Sequence, residues 1–312
     1  VTVNVTNTPV RGDIVLEKSG MQLVRFADEK DSYGNTVMKP IYQNSYLAGA
    51  VFELHAAQNI VGKEGTTFYK KDELVEKLTT SGTGAVKCKV LPLGMYYQEA
   101  ITDPEGYVEV KVSAANTFLP IRVTLRKEKE NLKLTETKEG MIHQTIEVVP
   151  GQGFVFGLYN NAVITYGNDQ KLPANTLMAT GATDAKGNLT FSGMFPHGDY
   201  YVKEISVPQG WLLSTEKYTV KLTSANKAAS ENVITVYLEN PILNHLIYTP
   251  VTITKTDITG AEKLPGALIE VYAADGNTIY REYTNSKGEI PNIPVVPGTY
   301  TFKETYAPSG YA

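Results

Sequence analysis

The sequence predicts an all-β protein made of tandem β-sandwich units. Apolar residues alternate with polar ones at a period of two along most of the chain, which is typical of strands with one buried face. The 312 residues include 20 Tyr, 26 Gly and 16 Pro, and this composition favours strands joined by tight turns. At about 100–150 residues per domain, the length predicts two or three units.

The third observation is an internal repeat. The segments 79–107, 182–211 and 284–311 carry the same turn and strand signals in the same order. Three turn positions recur in phase, so each segment is predicted to form the same hairpin and the same tyrosine-rich strand. These positions are Gly84, Gly187 and Gly288 at the turn, Gly94, Gly198 and Gly298 before the strand, and Pro104, Pro208 and Pro308 after it.

Two further blocks repeat upstream of the hairpins. One is a pair of small residues followed by an alternating apolar strand, and the other is the opening strand of each unit. The apolar blocks are 47–56, 151–160 and 264–273, and the opening strands are 13–20, 131–140 and 251–260. Residues 72–78 have a helix-like composition, but the repeat aligns them with strands elsewhere, so a strand is predicted there.

The repeats divide the chain into units at 10–128, 129–244 and 245–312, each expected to be a β-sandwich. Residues 1–9 resemble the closing strand at 233–241, so they are expected to be the closing strand of a preceding repeat. The third unit is expected to lack its own last strand, as in a piece cut from a longer array.

The composition also argues against several functions. The net charge of −4 gives no basic surface for nucleic acid, and no run of about 18 apolar residues predicts a membrane span. One cysteine, Cys88, rules out an internal disulfide and is expected to be a small core residue. With four scattered histidines and no catalytic motif, no metal site, no cofactor and no enzymatic turnover is predicted.

The joint pattern resembles a known family. A strand ending in Lys, an L-A-G-A-x-F block, and the run YTFKETYAPSGY at 300–311 are similar to the Cna B-type or SpaA-like (prealbumin-like) domain. The resemblance implies immunoglobulin-like β-sandwiches of Gram-positive adhesins and pilins, and therefore an extracellular, cell-wall-anchored surface protein.

The resemblance also implies an intramolecular isopeptide bond between a Lys on the first strand and an Asn on the last. A buried Glu promotes the reaction. The Lys must be a neutral amine to attack, and burial favours that form. A protonated acid can polarise the amide carbonyl and shuttle protons as ammonia leaves. The bond forms once, so this is self-processing.

In the third unit the resemblance assigns Lys255 and the promoting acid Glu304, with the Asn expected on the strand that is missing. A donor strand from a neighbouring copy is a further hypothesis. Residues 1–9 of that copy would complete the open unit and bring Asn7 to Lys255.

In the second unit the resemblance assigns Glu204 as the acid and Asn240 as the amide. The Lys is ambiguous in the alignment. One alignment places Glu136 at the Lys position and abolishes the bond, whereas the other places Lys138 there on the same strand face. The Lys138–Asn240 bond is the favoured prediction, because Glu204 and Asn240 would be costly to bury unpaired.

In the first unit Lys18 aligns with the Lys position, but Ala100 stands at the Glu position and Lys127 at the Asn position. Glu99 is one residue off and is expected to face the other way. No bond is predicted in this unit, and Lys18 is expected to keep its charged end in water.

The leading functional prediction is a structural stalk or pilin-like segment that presents an adhesive region elsewhere. Its partners are neighbouring repeats of the same chain. The alternative is an adhesin module in which the first unit binds a host extracellular-matrix protein or glycan through the insertion 28–46, since loops often carry function. The integrin-type tripeptide at 11–13 is interpreted as accidental.

Overall fold

The computed structural model describes residues 10–102, 108–109, 115–117, 120–167, 169–223 and 233–311. Every regular element in these ranges is a β-strand, which confirms the all-β prediction. The strands are β1 Arg11–Gly12, β2 Val15–Glu17, β3 Ser19–Lys30, β4 Thr36–Tyr46, β5 Val51–Ala56, β6 Ile60–Val61, β7 Thr67–Tyr69, β8 Leu74–Thr79, β9 Ala85–Lys87, β10 Leu91–Pro92, β11 Tyr96–Thr102, β12 Val108–Glu109, β13 Ala115–Thr117, β14 Ile121–Glu136, β15 Ile142–Pro150, β16 Val155–Asn160, β17 Ile164–Tyr166, β18 Gln170–Leu172, β19 Leu177–Ala182, β20 Asn188–Gly193, β21 Gly198–Ser206, β22 Lys217–Leu222, β23 Ile234–Tyr237, β24 Ile242–Asn244, β25 Thr249–Thr254, β26 Leu268–Ala273, β27 Thr278–Tyr283, β28 Glu289–Val295 and β29 Tyr300–Tyr306.

The second unit is a two-layer sandwich. One sheet has the order β19-β16-β21-β22, and the facing layer is built on β14. Strand β14 pairs antiparallel with β20 and parallel with β23 and then β24. Alternate residues of both layers meet in one apolar core, which includes Val123, Phe154, Phe156 and Tyr200.

The first and third units repeat parts of this plan. In the first unit β5 lies between β11 and β8 over a separate core that includes Phe52 and the buried Cys88. In the third unit β26 lies between β27 and β29, and β25 pairs with β28. The predicted strand at 72–78 is present as β8.

The predicted boundary between the first two units needs correction. Position 128/129 falls inside β14, and Ile121, Val123 and Leu125 on that strand are fully buried in the second unit's core. The second unit therefore begins no later than Ile121. The strand continues through the predicted boundary without a turn, although its alternation of buried and exposed residues ends at Lys127, where the strand leaves the core.

The repeated turn glycines have the same role in each unit. Gly84, Gly187 and Gly288 have φ of +71°, +77° and +69°, a region that suits residues without a side chain. A Cβ on Gly187 would run into the carbonyl oxygen of Lys127. The turn therefore requires glycine both for its backbone conformation and for its close approach to the strand that carries Lys127.

Candidate functional site

A lysine is buried at the centre of the second unit. Lys127 lies on β14 with no exposed surface, and its backbone N–H donates to the carbonyl of Gly187 at 2.7 Å. The Nζ atom donates to the carbonyl of Ile242 at 2.8 Å and to that of Glu128, and it lies 4.5 Å from the ring centre of Phe154. The strand alternation that fills the core thus also directs this amine inward.

A carboxyl group and an amide lie together in the same core. Glu204 on β21 and Asn244 on β24 are each 2% exposed. The Nδ2 atom of Asn244 donates to Oε2 of Glu204 at 2.7 Å and to the carbonyl of Leu212 at 2.7 Å. The backbone N–H of Ser214 donates to the same carboxyl oxygen at 2.8 Å. The parallel pairing of β24 with β14 carries Asn244 alongside the lysine strand.

Two polar atoms of this cluster are buried without a hydrogen-bond partner among the described residues. They are Oε1 of Glu204 and Oδ1 of Asn244. An unpartnered buried polar atom is costly, and each such atom in a native protein calls for an explanation.

Burial moves both titratable groups toward their neutral forms. Desolvation lowers the pKa of Lys127 to about 8, although the nearby charges of Glu204 and Glu128 oppose the shift. Desolvation also raises the pKa of Glu204, against the opposing effects of the hydrogen bonds from Asn244 and Ser214 and the charge of Lys127. A neutral amine is a nucleophile and a protonated carboxyl is an acid, so burial at this site favours the two forms that amide chemistry requires.

The same backbone positions recur in the other two units. Lys18 and Lys255 donate their backbone N–H groups to Gly84 and Gly288, as Lys127 does to Gly187. Strand register also aligns the acid position of the three units, because each residue at that position pairs with the second residue of the central strand. These pairs are Ala100 with Phe52, Glu204 with Phe156 and Glu304 with Ile269.

The structure places a different lysine and amide beside Glu204 from those predicted. Lys138 is exposed in the turn after β14, and Asn240 is exposed in a bend between β23 and β24. Glu136, the alternative at the Lys position, is exposed at the end of β14. The predicted alignment failed because it matched the opening strand of the unit to residues that lie beyond the core, where β14 has already left the sandwich.

A sequence signal for the buried lysine exists. V-T-L-R-K at 123–127 resembles V-T-I-T-K at 251–255 and I-V-L-E-K at 14–18. The amide lies four residues after the predicted one, in the short strand I-L-N at 242–244. Asn240 was predicted instead of Asn244 because L-E-N-P matches the strand ending in Asn-Pro that the resemblance implies.

In the third unit the two predicted groups do meet. The Nζ atom of Lys255 lies 2.9 Å from Oε2 of Glu304, and the two side chains are 28% and 31% exposed. The pair is more open to water than the Lys127 cluster. Asn7, the predicted donor-strand amide, lies outside the described residues.

In the first unit Ala100 occupies the acid position, and Glu99 is exposed, facing away from the core. The expectation that Lys18 keeps its charged end in water is wrong, since the residue is 4% exposed and its Nζ lies 5.9 Å from the ring centre of Phe52. Its burial follows from its being the register equivalent of Lys127.

The sequence alignment placed Lys127 at the amide position of the first unit, but Lys127 lies in the core of the second unit. The backbone register instead places Asn116 at the amide position of the first unit. Asn244 pairs with Lys129, two residues beyond the buried lysine, and Asn116 pairs with Gly20, two residues beyond Lys18.

The fold and cluster together define a class of tandem prealbumin-like β-sandwich proteins with a lysine, an acid and an amide in one core. The family model of the SpaA prealbumin-like fold domain matches residues 39–138, 147–235 and 249–312. The chain belongs to this family and carries the domain in tandem. A comparison with curated protein sequences gave no match.

One solved structure shows the same fold over nearly the whole chain, and two others are similar over part of it. The Bacillus anthracis TIE protein is 21% identical, with a TM-score of 0.51 over 96% of this chain. The chain spans 55% of that protein's length. The shaft pilin SpaA of Lactobacillus rhamnosus GG is 19% identical over 62% of this chain and 90% of its own, with a TM-score of 0.25. GBS52, the minor pilin of Streptococcus agalactiae, is 18% identical over 77% of this chain and 100% of its own, with a TM-score of 0.28.

Among the residues that the structure describes, there is no helix of the length and apolarity needed to cross a membrane.

Proposed function

We propose that this chain is a stalk segment of a bacterial surface protein, and that its second unit is closed by an isopeptide bond between Lys127 and Asn244. The observation that carries the proposal is the buried cluster of Lys127, Glu204 and Asn244. Membership of the SpaA family supports the stalk role.

The proposed reaction exchanges one C–N bond for another. The Nζ lone pair of neutral Lys127 attacks Cγ of Asn244, and the new C–N bond forms as the bond from Cγ to Nδ2 breaks. Glu204 donates a proton toward the amide carbonyl and relays the proton from Nζ to the departing nitrogen, which leaves as ammonia. No oxidant, cofactor or metal takes part, and Glu204 ends in the protonation state in which it began.

The unpartnered atoms of the cluster support a protonated acid. When Glu204 carries a proton on Oε1, a donor becomes available for Oδ1 of Asn244, while Nδ2 continues to donate to Oε2. The acid and the amide would then form a two-bond pair in which both of the otherwise unpartnered atoms are satisfied. The same hydrogen bond withdraws electrons from the carbonyl that Lys127 attacks.

The bond would make the second unit resistant to pulling. It would join β14, on which the unit begins, to β24, on which it ends. Tension that enters along one strand and leaves along the other would pass through the bond and bypass the hydrogen-bonded core. This property suits an extracellular array under shear, where a chain with one cysteine has no internal disulfide to use.

Intact-mass spectrometry tests the proposal. The expected mass of the purified chain is the sequence mass less one ammonia, about 17 Da per bond. Glu204→Ala and Asn244→Ala should each show the full mass of their own sequences. Lys138→Ala, which changes an exposed lysine of the same strand region, is the matched control and should retain the loss. An unshifted mass for the wild-type chain would refute the bond.

The insertion 28–46 does not favour the alternative of a binding loop. Its residues include the whole of β4, which lies against β19 of the second unit. We therefore propose neighbouring repeats of the chain as the partners of this segment.

A further inference from the structure

After each of Lys18, Lys127 and Lys255 the chain makes an excursion out of the sandwich. It returns at a backbone hydrogen bond to the carbonyl of that same lysine. The backbone N–H groups of Leu47, Gly151 and Leu264 donate to the carbonyls of Lys18, Lys127 and Lys255, at 2.8, 2.9 and 2.9 Å. The excursions enclosed by these bonds are residues 19–46, 128–150 and 256–263. We call the first two arm 1 and arm 2. The third is a short turn closed by a bridge between Thr256 and Lys263.

Arm 1 packs on the second unit through its apolar face. Leu23 and Phe26 are 8% and 9% exposed, and both belong to the second unit's core cluster and not to the core of their own unit. The ring of Phe26 meets that of Tyr166 edge-on at 5.0 Å. Near the tip of the arm, Oγ1 of Thr180 on β19 donates to Oδ2 of Asp31 at 2.5 Å.

Arm 2 joins the third unit by main-chain pairing and polar contacts. Ile142 on β15 pairs with Arg281 on β27, so a single sheet runs from β14 through β15 into β27 and β26. The ring of His143 contacts Glu282 at 2.7 Å. The buried Gln144 donates from Nε2 to the carbonyl of Pro294 on β28.

The two arms dock on equivalent strands. Strand β19 pairs antiparallel with the central strand β16 in the second unit, as β27 does with β26 in the third. Each is followed by a buried threonine, Thr183 or Thr284, that accepts a hydrogen bond from the backbone at the start of the central strand. The same insertion point and the same docking strand therefore recur at both joints of the chain.

We infer that arms 1 and 2 are struts that fix the angle between successive units, so that the three sandwiches behave as one stiff segment. Domains joined only by a linker and a small polar interface move relative to each other by default. Here a continuous sheet at one joint and an apolar contact at the other are added to the linking segments. The inference is independent of the isopeptide bond, because neither arm contributes a group to the Lys127 cluster other than the backbone carbonyl of Glu128.

Pulsed electron–electron resonance distances test the inference at the first joint. Spin labels at Glu64→Cys in the first unit and Lys186→Cys in the second, both exposed, are placed in a Cys88→Ala chain. The distance distribution should be narrow in this parent and about twofold broader when Leu23→Ser and Phe26→Ser are combined. The matched control, Gln22→Ser with Arg25→Ser on the exposed face of β3, should stay narrow.

The fluorescence of Trp211 and a second pair of spin labels complete the test. Trp211 is the single tryptophan and lies in the second unit, so its fluorescence reports whether that unit remains folded. An unchanged distribution with native fluorescence would overturn the inference. Lost fluorescence would also overturn it, since the second unit would then need arm 1 in order to fold, and the arm would not be a strut between two separately folded units. At the second joint, labels at Lys186→Cys and Asp275→Cys should broaden with Gln144→Ala, and an unchanged width there would contradict the inference for arm 2.

Discussion

Replacing Lys127 with methionine removes the amine of the proposed bond while keeping a side chain of similar length in an apolar site. Without the bond, the unfolded second unit is no longer a closed loop. The loop spans from Lys127 to Asn244, and the chain-entropy relation for a loop of about 117 residues gives about 5 kcal/mol at 25 °C. The lost hydrogen bond to the carbonyl of Ile242 adds about 1 kcal/mol. The variant should therefore be less stable by about 5–6 kcal/mol.

Guanidinium denaturation followed by Trp211 fluorescence measures this effect in the second unit alone. With a denaturant slope of about 4 kcal/mol/M for a domain of this size, the midpoint should fall by about 1.2–1.5 M. Lys129→Met is the matched control, two residues along the same face of β14. It removes a cation–π contact with Trp211 at 4.0 Å, which is worth about 0.5–1 kcal/mol, and retains the bond. If Lys127→Met shifted the midpoint no more than Lys129→Met does, the reasoning would be refuted.

The remaining predictions concern the protonation of the buried lysine, the missing acid of the first unit and a turn glycine. Asn244→Ala keeps Lys127 as a free amine with a pKa of about 8, below its ordinary 10.5. Between these values the unfolded chain holds a proton that the folded chain has released, so the unfolding free energy of this variant should rise with pH by about 3 kcal/mol across that window, as measured by denaturation at stepped pH. Ala100→Glu restores an acid at the equivalent register position, and intact mass should show the loss of a second ammonia. Gly187→Ala should lower the unfolding free energy of the second unit by about 1–3 kcal/mol, as measured by Trp211 fluorescence, because the turn tolerates neither the φ nor the added carbon.

Each of these has a comparison that isolates its cause. The wild-type chain, whose Lys127 nitrogen is an amide after reaction, should lack the rise between pH 8 and 10.5, and a flat profile in Asn244→Ala would contradict the burial argument. Ala100→Gln matches the size of Glu without its acidity and should leave the mass at one ammonia lost. Gly140→Ala has a φ of +78° with open space around it, so it separates backbone strain from collision.

The sequence was sufficient for the repeat and for the acid positions. The glycines of the turn and the tyrosine-rich strand lie within a hairpin of nearly constant length, so their spacing fixes the register of Glu204, Glu304 and Ala100 correctly. Short-range spacing of this kind is preserved because a shift of one residue would turn every side chain to the other face of the sheet.

The buried residues Lys127 and Asn244 were not predicted, because segments that differ in length between the units separate them from that hairpin. Arm 2 contains apolar alternation of its own, and this alternation was matched to the opening strand. The arm packs on the third unit, which supplies a buried face outside the second unit's core. A period of two indicates a strand, but it does not indicate which core the strand faces.

One repeated structural feature, a buried threonine in each unit, was not predicted from the sequence. Thr80, Thr183 and Thr284 are each buried, accept a backbone N–H and donate to the carbonyl of the residue that closes the excursion. In the second unit this links Thr183 to Gly151 and so to the backbone of Lys127. A threonine among many others carries no pattern that would single it out before the fold is known.

Peptide mapping of the native chain tests the central claim most directly. After proteolysis, tandem mass spectrometry should identify one branched peptide in which the Lys127 side chain is joined to that of Asn244, with the mass of the two fragments less one ammonia. The same digest of Glu204→Ala should yield the two fragments separately. Recovery of unlinked peptides carrying Lys127 and Asn244 from the wild-type chain would contradict the account.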